Sequence, residues 1–259
     1  MQCMRLVVLG LAVGIFVFGL SDMTFGQSAD RGRTMLQAAA RGDVEALRRL
    51  ISAGASLESA NAAGETPLLL AVKNNHLPTA AFLVDAGSNI NAQAANKDSP
   101  WLLAGALGRT EMLRHMIPKG PDFSLRNRFG GNALIPACER AHVETVKLLL
   151  TTKIDINHVN NLGWTCLLEI VILGDGGARH VEVAKRVLAA GADPNIADKE
   201  GVSPLTHARA KRQTEIARLI EAAGGREGLV DMRGRRTWRD ETGYPGGPLA
   251  QRSGHPWCG

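Results

Sequence analysis

Aromatic residues are scarce in this 259-residue chain, at 4 % of the total, with a single tyrosine. A β-sandwich or barrel draws on aromatic and β-branched strand residues, so this poverty argues against both. Charge of one sign is also lacking. Thirty Lys and Arg stand against 25 Asp and Glu, a formal balance of +5 that does not demand a nucleic acid or a membrane surface as partner. Cysteine is sparse as well. Cys3, Cys138, Cys166 and Cys258 fit no CxxC or zinc-ligand spacing, and the sequence predicts no disulfide framework.

Only one long apolar run is present. Arg5 precedes Leu6–Leu20, and Thr24 and Gly26 follow it, small enough for the −3 and −1 positions of a cleavage site. Fifteen residues fall short of the roughly 20 that span a bilayer. Residues 1–26 therefore read as an export signal, and the chain as periplasmic or secreted. An uncleaved membrane anchor is the alternative.

What the chain does have is a period. Arg31, Gly64, Lys97, Gly130, Gly163 and Gly201 follow one another at steps of 33, 33, 33, 33 and 38. Gly54, Gly87, Gly120, Lys153, Gly191 and Gly224 form a second series, 23 residues further on except in the fifth unit, where five surplus residues make it 28. Thr66-Pro67, Ser99-Pro100 and Ser203-Pro204 place a capping hydroxyl before a proline at the first helical position, where the missing N–H costs nothing. Ala38, Ala71, Ala104, Ala137 and Ala208 share one site in the first helix of each unit, and Ile170 is the bulky exception. Leu50, Leu83, Met116, Leu149, Val187 and Ile220 share one site in the second helix and should form an apolar spine. Lys97 and Lys153 stand where turn glycines are expected, and Pro136 falls inside a first helix. These three departures should loosen the third and fourth units.

The 33-residue period, Thr66–Ala71 (TPLLLA) and Ala190–Asn195 (AGADPN) resemble the ankyrin repeat. The resemblance covers about Arg31 to Gly225. It implies an all-α ankyrin-repeat solenoid of about six helix-turn-helix units: 31–63, 64–96, 97–129, 130–162, 163–200 and 201–225, within a repeat domain of 27–225. The tail, 226–259, is arginine-rich and without apolar periodicity, and reads as disordered.

Residues 174–180, GDGGARH, contain three glycines and an aspartate, which could cradle a phosphate. In the repeat register they enlarge the turn between two helices, and no strand precedes them as a phosphate loop requires. They read as a tolerated insertion or as a loop that touches a partner.

The resemblance also implies where a partner would bind: hairpin tips and the exposed side of first helices. In register, the fourth and fifth units place Phe129, Leu162, Trp164, Ile172 and Leu173 there, beside Arg128 and Arg140. Aromatic and apolar residues ringed by arginine are the usual make-up of an interface centre. Two readings of the patch stay open: an open interface, or one in which the enlarged turn covers Ile172 and Leu173. Trp101 replaces a core leucine and should pack inside. His76, His142 and His180 share a position at the start of second helices, where the family's imidazole bonds turn backbone. Glu169 and His207 share a position one repeat apart and could meet as an acid–base or metal pair. The more economical reading is that each satisfies neighbouring polar groups. No nucleophile stands nearby, and no catalytic residue, metal or cofactor is expected. The expectation is a non-catalytic module binding an unidentified protein, with no small-molecule substrate. Membrane-surface or nucleic-acid binding through Arg233–Arg239 is the alternative.

Overall fold

A computed structural model describes residues 30–230 and 236–237. The apolar run before residue 21 and most of the basic tail lie outside the described residues. Among the described residues twelve α-helices follow one another as six antiparallel pairs: α1 (30–41) with α2 (Val44–Ser52), α3 (Pro67–Lys73) with α4 (Leu77–Asp85), α5 (Pro100–Ala106) with α6 (Thr110–Met116), α7 (Leu134–Glu139) with α8 (Val143–Leu149), α9 (Cys166–Ile172) with α10 (Ala178–Ala189), and α11 (Pro204–Ala210) with α12 (Thr214–Ala222). Among the described residues the only strands are Leu229–Val230 (β1) and Arg236–Thr237 (β2), paired antiparallel. The fold is the all-α helix-turn-helix repeat.

The chain divides into two compact units, one up to Ser88 and one from Asn89 onward. In the first, α2 packs on α4, and the exposed end residue Arg48 lays its guanidinium over the Phe82 ring at 5.0 Å. In the second, first helices stack in the order α5, α7, α9, α11, and second helices in the order α6, α8, α10, α12.

Local sequence explains each start. Thr66, Ser99, Thr165 and Ser203 accept the backbone N–H three residues on, as helix caps do. In the fourth pair Asn132 Oδ1 takes that role, accepting from Leu134 and Ile135. Pro136 is the third residue of α7, where an N–H would have no intrahelical acceptor, so the helix start accommodates it. Lys97 adopts the same left-handed backbone, φ 62°, as the glycines at its register position.

The core follows the register. Ala38, Ala71, Ala104, Ala137 and Ala208 are fully buried, and so is Ile170. The second-helix spine is buried from Leu83 to Ile220, with Leu50 half-buried at the open end. Trp101 is 1 % exposed and meets Phe123 edge-on at 5.7 Å between ring centroids. After α12 the backbone crosses the last repeat: Arg226 N–H donates to Asn195, Gly228 N–H donates to Thr206 Oγ1, and Glu227 pairs with Arg209. Thr206 and Arg209 occupy the positions held by Leu168 and Val171 one repeat earlier.

One expectation is corrected. Cys138 and Cys166 form a disulfide, with Cα atoms 5.5 Å apart. Their spacing of 28 residues resembles no sequence motif, yet stacking sets α7 directly against α9 and brings the two thiols together. Closing a loop of that length restricts the unfolded chain by about 3–4 kcal/mol. Replacing both cysteines with alanine should therefore lower the melting temperature by several degrees, and dithiothreitol should do the same to the wild type. Melts that coincide with and without reductant would show that no such bond forms in solution.

Candidate functional site

The site is built on two neighbouring hairpin tips and on the helices they lead into. In each tip one amide or carboxylate side chain braces the turn from within. Asn127 Oδ1 accepts from the N–H groups of Phe129 and Gly131, and Asn160 Oδ1 accepts from those of Leu162 and Trp164. Asp198 does the same for Glu200 and Val202. The tips are also tied to each other: Asn161 N–H donates to Phe129 O at 2.9 Å, and the His158 imidazole is 2.6 Å from Gly130 O. Phe129, Leu162 and Trp164 are thus held on adjacent turns of fixed shape.

Among the described residues the exposed large apolar side chains are Val159, at 43 %, and Leu162, at 40 %. Both belong to the hairpin entering α9. Phe129, Trp164, Ile172 and Leu173 are half-buried. Arg128 is exposed and stacks over Phe129 at 4.8 Å. The seven residues singled out by register fall into two groups. Arg128, Phe129, Leu162 and Trp164 sit at the hairpin end. Arg140, Ile172 and Leu173 sit about 10 Å away, at the far end of helices of six and seven residues rising 1.5 Å per residue. Val159 was missed because it lies just before the tip, outside the positions that the resemblance implies.

The far end is engaged in holding repeats together. Arg140 Nη1 donates to Ala106 O at the C-terminus of α5. Lys211 Nζ donates to Ile172 O and Gly174 O beyond α9, at 2.6 and 3.2 Å, where a cation suits the helix dipole. The GDGGARH insertion is built in too. Asp175 Oδ1 accepts from Gly177 N–H and lies 2.7 Å from His180 Nδ1, while His180 Nε2 is 2.9 Å from Glu139 O. The surplus residues lengthen α10 to 12 residues, starting before His180 instead of after it. His76 makes the equivalent contact with Ala40 O at 3.0 Å.

Glu169 and His207 do not form a pair with each other; each has a partner in its own hairpin, nine residues earlier. Asn160 Nδ2 donates to Glu169 Oε1 at 2.9 Å, and His207 Nε2 lies 2.7 Å from Asp198 Oδ2. No group of three or more His, Cys, Asp or Glu capable of holding a metal occurs among the described residues. Glu169 is nonetheless unusual. It is fully buried, its Oε2 has no hydrogen-bond partner, and no cation compensates its charge. Burial, then the neighbouring charge of Glu139, push its carboxyl up to about 8. Burial pushes Glu139 to about 7, against the opposing pull of Arg140.

Braced hairpins alternating with paired helices define a repeat scaffold that offers a surface. The family described as "Ankyrin repeats (3 copies)" matches residues 11–94 and 101–198. The chain belongs to the ankyrin repeat family. Among curated relatives it is 37 % identical over 190 residues to the putative ankyrin repeat protein YahD of Escherichia coli, covering 73 % of this chain and 94 % of that one. An ankyrin repeat domain from Acinetobacter baumannii superposes with a TM-score of 0.72 at 42 % identity, covering 74 % of this chain and 98 % of the other. The ankyrin repeat protein EF0377 gives 0.70 at 38 %, covering 73 % and 96 %.

A buried carboxyl whose pKa is raised on folding destabilises the fold once it must ionise. The folded chain holds the Glu169 proton more tightly than an unfolded chain does. Stability is therefore full below the ordinary carboxyl value of 4.5 and declines as pH rises towards about 8. Glu169→Gln keeps the acceptor for Asn160 and removes the charge. It should flatten the decline, gaining on the order of 1–3 kcal/mol over wild type above pH 8. Denaturant melts from pH 5 to 9 check this, and parallel slopes for the two proteins would refute it.

Proposed function

We propose that this chain is a non-catalytic module that binds a protein partner outside the cytoplasm, with the two linked hairpin tips at the centre of its binding face. The observation that carries this reading is the hairpin of Val159 and Leu162, which holds both exposed large apolar side chains of the described residues. Apolar side chains on turns that Asn127 and Asn160 hold rigid lose little freedom when a partner covers them. Arg128 over Phe129 adds a planar cation at the rim. Membership of the ankyrin repeat family supports protein partners as a class. The carboxylates and imidazoles engaged within hairpins support a surface that binds without chemistry.

Action outside the cytoplasm rests on the basic, apolar and small-residue pattern of residues 1–26. The Cys138–Cys166 disulfide fits an oxidising compartment. Membrane-surface or nucleic-acid binding through Arg233–Arg239 concerns residues largely outside the described ones.

Two measurements test the proposal. The protein recovered from an envelope fraction should begin near Gln27 by N-terminal mass spectrometry, and an intact Met1 in the cytosol would refute export. Leu162→Asp should weaken capture of a partner from envelope extract at least tenfold. Its melt should stay within a few degrees of wild type, because the side chain is exposed. Equal capture by both proteins would remove the hairpin tips from the interface.

A further inference from the structure

Among the described residues no repeat follows α11 and α12, and that last pair carries a cavity of about 500 Å³. Its walls come from three places. Arg209 stands on α11, Arg212 and Gln213 in the inter-helix turn, and Thr214, Arg218 and Glu221 along one face of α12. In the preceding repeat the positions of Arg209, Thr214 and Glu221 hold Val171, Val181 and Leu188. Aliphatic side chains have thus given way to charged and hydroxyl groups, around a space large enough for a small organic ligand.

The three arginines of the cavity are held unequally. Arg209 is taken by two acids, Glu221 and Glu227. Arg218 pairs with Glu215 at 2.9 Å, between side chains that are 69 % and 64 % exposed. Exposed pairs of this kind are weak and exchange readily. Arg212 is exposed and pairs with no acid among the described residues. Its neighbour Lys211 is committed to the carbonyl oxygens of Ile172 and Gly174. Neither Glu215 nor Glu227 lines the cavity, so three guanidinium groups face one carboxylate across it. Arg212 also has left-handed backbone, φ 57°, at the register position of Gly42 and Gly108. Glycine adopts that conformation freely and a long side chain does not. No partner among the described residues rewards the cost, and disfavoured backbone at a cavity wall is a common mark of a ligand contact.

We propose that this cavity binds the phosphate group of a small phosphate monoester, with Arg212 and Arg218 as its charged donors and the Thr214 hydroxyl beside them. A guanidinium fork takes two phosphate oxygens at once. A carboxylate is filled by one such fork, whereas a tetrahedral phosphate accepts from the turn and from α12 together. The anion displaces Glu215 from Arg218 and gives Arg212 the partner it lacks. The remaining space holds the organic part of the ligand. The site makes no use of Phe129, Leu162 or Trp164, so its test is independent of the hairpin face.

The test follows the arginine Nε–H signals of the full chain by NMR, with glycerol phosphate, inorganic phosphate, acetate or glycerol added at equal ionic strength and constant pH. Glycerol phosphate should shift the Arg212 and Arg218 signals saturably at millimolar concentration, and should bind at least as tightly as inorganic phosphate. Acetate and glycerol should leave both signals in place. Arg212→Gly should weaken binding by about tenfold or more, the scale of one charge-assisted fork. The same variant should melt within a few degrees of wild type, because glycine suits the left-handed turn and the arginine is exposed. Shifts that do not saturate, equal shifts with acetate, or unchanged affinity in Arg212→Gly overturn the proposal. Tighter binding of inorganic phosphate than of the monoester overturns it in favour of a site for the free anion. Should Arg212→Gly fail to fold, Arg212→Gln decides in its place.

Discussion

The last carbonyl groups of each short first helix have no acceptor duty left inside the helix, and something outside must supply donors to them. Within each of the two compact units the following repeat supplies them. His76 reaches Ala40 O, Arg140 reaches Ala106 O, His180 reaches Glu139 O, and Gln213 reaches Val171 O and Gly174 O. Helices of six or seven residues are too short to stand alone in water. Their ends are completed only when the following pair is in place, so stacking is a condition of helicity as well as its result. Glycines in the inter-helix turns belong to the same device. Gly42 and Gly108 have positive φ, and a β-carbon there would come within 2.8 and 2.7 Å of the His76 and His142 rings. Left-handed turn, bare backbone and incoming imidazole form one joint.

That joint explains how an insertion can be absorbed. The surplus residues of GDGGARH could have emerged as a free loop. Instead Asp175 caps the ring of His180 from one side while Glu139 O meets it from the other, so the histidine keeps its inter-repeat contact and the extra length becomes helix. Gln213 and Lys211 then take the carbonyl oxygens of Gly174, Val171 and Ile172 from the following repeat. The register of the stack is conserved through a five-residue surplus because the donor–carbonyl contact, and not the chain length, sets it.

Much of this was legible in the sequence and some was not, for identifiable reasons. Repeat boundaries, the alanine column and the second-helix spine are periodic, and periodicity survives translation into packing. The hydroxyl–proline starts are local and needed no tertiary information. The disulfide was not legible because Cys138 and Cys166 occupy different places in their repeats, so a comparison of equivalent positions never aligns them. Glu169 and His207 do occupy equivalent places, yet they do not meet, and the reading in which each satisfies neighbouring polar groups is the one that holds. Each answers to a hairpin residue nine positions earlier, Asn160 and Asp198, a relation within one repeat. The surface residues were located by register alone, which could not tell that Arg140 spends its guanidinium on Ala106, nor that Val159 stands more exposed than Trp164.

The end of the last repeat carries a further consequence. Where inner repeats present Leu168 and Val171 to the helix that follows, α11 presents Thr206 and Arg209, and the backbone of Arg226–Gly228 lies against them with Glu227 closing the charge. A further repeat, or the open end of another copy, would find hydroxyl and guanidinium where it needs aliphatic surface, and a strand of chain already in the way. The face that α11 presents is therefore a poor seat for end-to-end stacking of the kind that grows into fibres.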